Sequence, residues 1–191
     1  GRRHSLLDII ESYYLARRVG FNNISLDLIF ALPGQKLADW RRTLRQVIQL
    51  EPEHISCYNL KIEPDTPLAQ WQQQGQIAMP TEEEDLEMYQ TAQTLLAQAG
   101  YRQYEISNFA RPGFACQHNQ IYWLHRPYLG VGPGAHFYDG RGRGYNYYSI
   151  DRYCSQLETD QLPIAEYNEL SRKEQIEETM MLGLRLEAGI D

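Results

Sequence analysis

The sequence predicts an α/β fold in which helices and strands alternate through the first part of the chain and a lobe of different texture follows. Three observations carry this. Apolar positions switch between a helical period and a two-residue period, the connections between these segments are short, and after Gly100 the helical period gives way to short aromatic and glycine-rich segments.

The first helix is predicted from Ser5 to Val19. Leu6, Ile9, Ile10, Tyr13 and Ala16 keep helical spacing, Ser5 and Asp8 form a capping box, and Gly20 supplies the stop. In "NISLDLIFAL", Ile24, Leu26, Leu28 and Phe30 then alternate with Ser25, Asp27, Ile29 and Ala31, which is a strand with one polar-lined face. "PGQ" turns the chain into a second helix with a stripe of Trp40, Leu44, Val47 and Ile48. "EPEHISCYNL" gives a second strand after the break at Pro52. Helix–strand–helix–strand with short connections implies parallel strands joined by right-handed crossovers, as in part of an α/β barrel or an open parallel sheet.

Beyond Asp65-Thr66-Pro67, the polar "QWQQQGQ" leads to a long helix capped by Thr81 and Glu84 and closed at Gly100. From Tyr101 to about Tyr148 short strands and glycine turns are predicted, with no helix. A last helix starts at Ser171, capped by Glu174, and runs through Ile176, Met180 and Leu184. The two lobes join near residues 65 to 100. The chain begins at Gly1 and closes on "MMLGLRLEAGID", and is read as a piece of a longer protein.

Composition excludes several classes. With 42% hydrophobic and 23% charged residues the chain is neither disordered nor fibrous. A net charge of −7, without a basic run beyond "GRR" and "ARR", argues against a nucleic-acid partner. No stretch reaches the length of a membrane span and no signal-peptide pattern is present. The odd, widely spaced Cys57, Cys116 and Cys154 fit reduced thiols in a cytoplasm, and they form neither a four-cysteine zinc pattern nor a C-x-x-x-C-x-x-C cluster loop.

Three places carry candidate chemistry. Asp27 lies on the polar face of its strand shortly before the "ALPG" turn, where its carboxylate either reaches a ligand's hydroxyls or amine or serves as a hydrogen-bonded structural aspartate. Glu63 follows the second strand, in a loop that Pro64 and Pro67 also make stiff. "CQHNQIYW" brings Cys116 and His118 into C-x-H spacing, which on an extended chain puts both on one face. A zinc site needs two more ligands, and the other histidines show no paired spacing. A haem iron needs only one ligand and an aromatic wall, which His118 with Tyr122 and Trp123 supplies; a histidine bonded to backbone within a sheet is the competing reading. The G-x-G-x-G of "YLGVGPGAHF" contains Pro133 and precedes no amphipathic helix, so its glycines serve close backbone approach rather than a dinucleotide.

Taken in order, "GRRHS", "ISLDLIFALPGQ", "YEISNFARPGFACQHNQIYW" and "YLGVGPGAHF" resemble the oxygen-independent coproporphyrinogen III oxidase-like family of radical SAM enzymes. H-N-x-x-Y-W, here His118, Asn119, Tyr122 and Trp123, resembles the signature of its haem-chaperone branch. The resemblance implies the C-terminal part of a partial (β/α) radical SAM barrel followed by a smaller α+β closing lobe. Residues 1–66 would carry later barrel strands and helices, 67–100 a connecting segment with the long helix, and 101–191 the truncated lobe.

It also implies S-adenosylmethionine near Asp27 and Ile29, and a [4Fe–4S] cluster whose ligands lie outside this chain. Haem is implied near His118, Asn119, Tyr122 and Trp123, with His118 as the metal-associated residue. The implied function is haem binding and transfer to respiratory apoproteins in the cytoplasm, with membrane contact only through those partners. The alternative is radical oxidative decarboxylation of coproporphyrinogen III in porphyrin biosynthesis; a radical RNA-modifying enzyme is disfavoured by the acidic charge balance. The chain departs from the family at Ala31, usually glycine, and at Phe137, usually serine, so the backbone approach at the first and the polar contacts of the second loop are expected to differ.

Overall fold

The computed structural model describes residues 4–190; residues 1–3 of the "GRRHS" segment and residue 191 lie outside them. Two compact units are present, residues 1–115 and 116–191.

The first unit starts with helix α1 (Leu6–Arg18), strand β1 (Ser25–Phe30), helix α2 (Leu37–Leu50) and strand β2 (His54–Asn59). Helices α3 (Pro67–Gln73) and α4 (Glu82–Gln98) follow, then strands β3 (Arg102–Glu105) and β4 (Asn108–Ala110). β1 and β2 pair in parallel, Ser25 opposite His54 through Phe30 opposite Asn59, as the α2 crossover predicts. The sheet order is β1-β2-β4-β3. Strands β3 and β4, which sequence texture groups with the closing lobe, are thus hydrogen-bonded into the same sheet as β1. The antiparallel register of β4 on β2, Ile55 opposite Phe109, buries Phe109 in the core.

That core lies between the sheet and helices α2 and α4. Trp40, Leu44, Ile55 and Leu96 are fully buried, and the Trp40 indole N–H donates to the Met88 carbonyl at 2.8 Å. The α2 stripe is therefore used as its spacing predicts. On α1 the stripe is used only in part. Tyr13 is buried and donates to the Leu50 carbonyl at 2.6 Å, whereas Leu6 and Ile9 remain exposed along a cleft of about 390 Å³ that also meets Leu26 and Leu50. Arg17 anchors the helix further by pairing with Glu53 at 2.8 Å, and Glu53 also accepts the Ile24 N–H at 2.9 Å.

Local signals fix the helix starts. Ser5 with Asp8, Thr81 with Glu84 and Ser171 with Glu174 all form reciprocal capping boxes. The first four residues of "QWQQQGQ", read as a polar segment, belong to helix α3, which starts at Pro67 because Thr66 caps the Ala69 N–H and Pro67 occupies the first helical position.

The second unit holds helix α5 (Gln117–Trp123), strands β5 (His136–Tyr138) and β6 (Gly142–Asn146), helix α6 (Ile150–Glu158), strand β7 (Ile164–Glu169) and helix α7 (Arg172–Gly183). Its antiparallel sheet has the order β5-β6-β7. A Cβ at Gly144 would overlap the Phe137 ring and the Glu166 carbonyl, and Phe137 stacks on Tyr167 with centroids 6.2 Å apart. Phe137 is thus a packing residue of this sheet, accommodated by Gly144, and not a substitute for a polar contact.

Candidate functional site

In the first unit the parallel register sets Ser25 beside His54, Asp27 beside Ser56 and Ile29 beside Tyr58 on one face of the sheet. Leu26, Leu28 and Phe30 turn to the helices, so the alternation read from sequence is realised. At the start of the strands a hydrogen-bonded chain runs from Ser25 Oγ to His54 Nδ1 at 2.7 Å and from His54 Nε2 to the Tyr104 hydroxyl at 2.8 Å. Burial lowers the His54 pKa, against the opposing pull of the Asp27 charge, and the imidazole is neutral near pH 7.

Further along, Asp27 is exposed, and Ile29 and Tyr58 are 38% and 40% exposed. A carboxylate followed by an apolar pair towards the C-terminal ends of parallel strands suits a ligand that carries hydroxyl or ammonium donors and a flat apolar group. Glu63 lies in an exposed loop, where Lys61 approaches it at 3.3 Å. Among the described residues no group of three or more His, Cys, Asp or Glu side chains could hold a metal ion. Burial raises the Cys57 thiol pKa to about 12, which leaves this cysteine an inert core residue.

The turn after β1 explains the first family departure. Ala31 is 3% exposed and has φ 57°, in the left-handed region that glycine favours. A glycine is expected there for its backbone freedom rather than for close approach by a neighbour.

In the second unit "CQHNQIYW" is helical, not extended. Cys116 is the N-cap of α5 and His118 lies in its first turn. Two residues on a helix are separated by roughly 200° of rotation, so the shared face expected for Cys116 and His118 is not formed. One turn on from the exposed His118, Tyr122 is its partner, the spacing at which helical side chains meet. The Tyr122 hydroxyl lies 2.8 Å from His118 Nε2, with the rings edge to face at 4.9 Å. Tyr122 meets Tyr128 edge to face at 4.6 Å; Tyr128 pairs through its backbone with Tyr138, and its hydroxyl accepts from Arg143 at 3.1 Å.

Trp123 and Asn119 occupy a different side of α5. The Arg185 guanidinium lies 4.3 Å from the centroid of the Trp123 ring, so this indole packs against the end of the α7 region. Of the four motif residues, the fold brings His118 and Tyr122 together and sets Trp123 apart.

His125, just past α5, has no signal in the sequence. It adopts φ 51° and stacks on Tyr138 at 4.4 Å. Its Nδ1 lies 2.9 Å from Thr179 Oγ1 and its Nε2 3.1 Å from Glu178 Oε2, and Glu178 also accepts from Arg143 Nε at 2.7 Å. Burial lowers the His125 pKa, with the Glu178 charge opposing. The glycine loop is tied from beneath. Asn146 Nδ2 donates to the Gly130 and Gly132 carbonyls at 3.0 Å each, and the Gly132 N–H donates to the Tyr153 hydroxyl at 3.1 Å.

No family model matches the chain. It is 40% identical over 190 residues to the Heme chaperone HemW of Bacillus subtilis, covering 100% of this chain and 50% of that protein. To the Heme chaperone HemW of Synechocystis it is 41% identical over 193 residues, 100% of this chain and 47% of the relative. The mitochondrial radical S-adenosyl methionine domain-containing protein 1 of Bos taurus is 37% identical over 201 residues, 100% and 45%. The chain thus spans about half the length of the curated relatives it matches. Among solved structures, the coproporphyrinogen III oxidase HemN of Escherichia coli, described as a radical SAM enzyme, superimposes with a TM-score of 0.76 at 23% identity. The match covers 97% of this chain and 45% of that one, and shows a shared fold. Along the whole of its own length, then, the chain is similar in sequence to proteins named Heme chaperone HemW, and it shares the fold of the radical SAM enzyme HemN.

Proposed function

We propose that this chain is part of a haem chaperone, in which His118 on α5 holds haem as cargo before its transfer to respiratory apoproteins. The observation that carries the reading is the His118–Tyr122 pair, an exposed imidazole beside aromatic rings, in a chain similar throughout to proteins named Heme chaperone HemW. Trp123 and Asn119 act less directly, fixing the orientation of α5. In the whole protein Asp27 and Ile29 contact S-adenosylmethionine, and the [4Fe–4S] cluster takes its ligands from outside this chain. Bound together, these two supply reductive cleavage chemistry that supports assembly or transfer. Residues 1–66 then act as later barrel strands and 101–191 as closing-lobe sequence, joined by 67–100. The cytoplasm is the proposed compartment, and among the described residues no helix is long and apolar enough to cross a membrane.

The test is a haem titration of the full-length protein, followed by the Soret band, beside His118→Ala. Loss of the band shift in the variant is the expected result, and equal binding by both proteins removes His118 from the site. Oxidative decarboxylation of coproporphyrinogen III is the weaker reading, because its support here is likeness of fold. Decarboxylated product from anaerobic full-length protein with reductant and S-adenosylmethionine would revive it.

A further inference from the structure

The Tyr122 hydroxyl lies 2.8 Å from His118 Nε2, the ring nitrogen more bonds away from the His118 backbone. In one imidazole tautomer the Nε2 lone pair accepts the phenol proton; in the other, Nε2 carries its own proton and donates it to the phenol oxygen. In both, this nitrogen is engaged, and an iron–imidazole bond needs its free lone pair. Nδ1 is bonded to the ring carbon that carries the side chain, so a bulky group there is nearer the backbone than one on Nε2. We propose that the Tyr122 hydroxyl is a gate on His118, occupying Nε2 until haem displaces it; the proposal rests on the haem reading of His118.

The neighbours decide which partner moves. Tyr122 is held edge to face against Tyr128 at 4.6 Å, and Tyr128 is fixed by two backbone hydrogen bonds with Tyr138 and by Arg143. His118 is exposed and turns about its own side-chain bonds. Loading therefore swings the imidazole away from a stationary phenol. The Nε2 lone pair forms the Fe–N bond, after the proton has passed through water to Nδ1 where the starting tautomer carries it on Nε2, and the phenol hydroxyl turns to water. On release the phenol recaptures the imidazole. A competing intramolecular partner weakens the hold on cargo, which suits a protein that must surrender haem to an acceptor.

The experiment is stopped-flow mixing of hemin with the full-length protein, Tyr122→Phe, His118→Ala and the double variant. Tyr122→Phe keeps the ring that meets Tyr128 and removes only the hydroxyl. Faster association and about three- to tenfold tighter binding are expected for it, the scale of one ordinary hydrogen bond, with no such gain in the His118→Ala background. Carbethoxylation of His118 in haem-free protein, resolved by mass spectrometry, should accelerate in the same variant. Unchanged or weaker haem binding by Tyr122→Phe, while His118→Ala still loses haem, overturns the gate and leaves the haem site standing. Wild-type binding by His118→Ala instead brings down the haem reading itself. An unchanged carbethoxylation rate overturns the gate without reference to haem.

Discussion

The guanidinium of Arg185 lies 4.3 Å from the centre of the Trp123 ring, so the last residue of H-N-x-x-Y-W packs against a cation from beyond the end of α7. Trp123 is half-buried, and loss of its indole removes both apolar area and the cationic contact. Trp123→Leu is expected to lower the stability of the protein by about 1–3 kcal/mol. His118→Ala, at an exposed position, is expected to change it by no more than about 0.5 kcal/mol. Thermal or urea unfolding of the two variants checks this, and equal effects would contradict the assignment.

Gly130 has no room for a side chain. A Cβ there would overlap the carbonyl of His136, a backbone group that cannot turn aside. Gly130→Ala should destabilise by about 2 kcal/mol or more, through overpacking rather than backbone strain. The urea midpoint of the variant measures the effect, and a loss below about 0.5 kcal/mol would show that the loop yields.

Ala31 works in the opposite direction. Its φ of 57° is unfavourable for alanine, although the buried methyl recovers part of the cost. Ala31→Gly should stabilise by about 0.5–1 kcal/mol. A shift of the unfolding midpoint to lower denaturant would mean that packing of the methyl outweighs the strain.

Glu53 ties α1 to the sheet and titrates with it. Burial raises its pKa, but hydrogen bonds from Arg17 and from the Ile24 N–H outweigh this and hold it below its ordinary value of 4.5. Above pH 4.5 both folded and unfolded chains carry the charge, and the full stabilisation is present. As pH falls the unfolded chain takes up the proton first, so this contribution is lost through the folded pKa. Glu53→Gln should cost about 2–3 kcal/mol at pH 7, with the difference from wild type shrinking below pH 4.5. Urea unfolding across pH 3 to 7, roughly the range of carboxylate titration, provides the comparison. A difference independent of pH would assign the loss to packing.

Local rules account for what the sequence shows clearly. A Ser or Thr with an acidic residue three positions on caps its own helix, and this holds at Ser5, Thr81 and Ser171 without reference to the rest of the chain. Two-residue alternation placed Asp27 and Ile29 on one face, and the helical crossover implied the parallel partner. α5 escaped notice because seven residues make only about two turns, too few for a period to stand out among polar and aromatic side chains. His125 is equally silent, since its partners Glu178 and Thr179 lie more than fifty residues away.

The sequence by itself determined the helix starts at Ser5, Thr81 and Ser171 and the strand parity, because each is written in neighbouring residues. Tertiary structure decided that His118 meets Tyr122 instead of sharing a face with Cys116, that Trp123 packs on Arg185, and that Ala31 stands in a left-handed turn. Those outcomes depend on whether a short segment coils and on which distant side chain then covers it, and packing of the whole chain settles both.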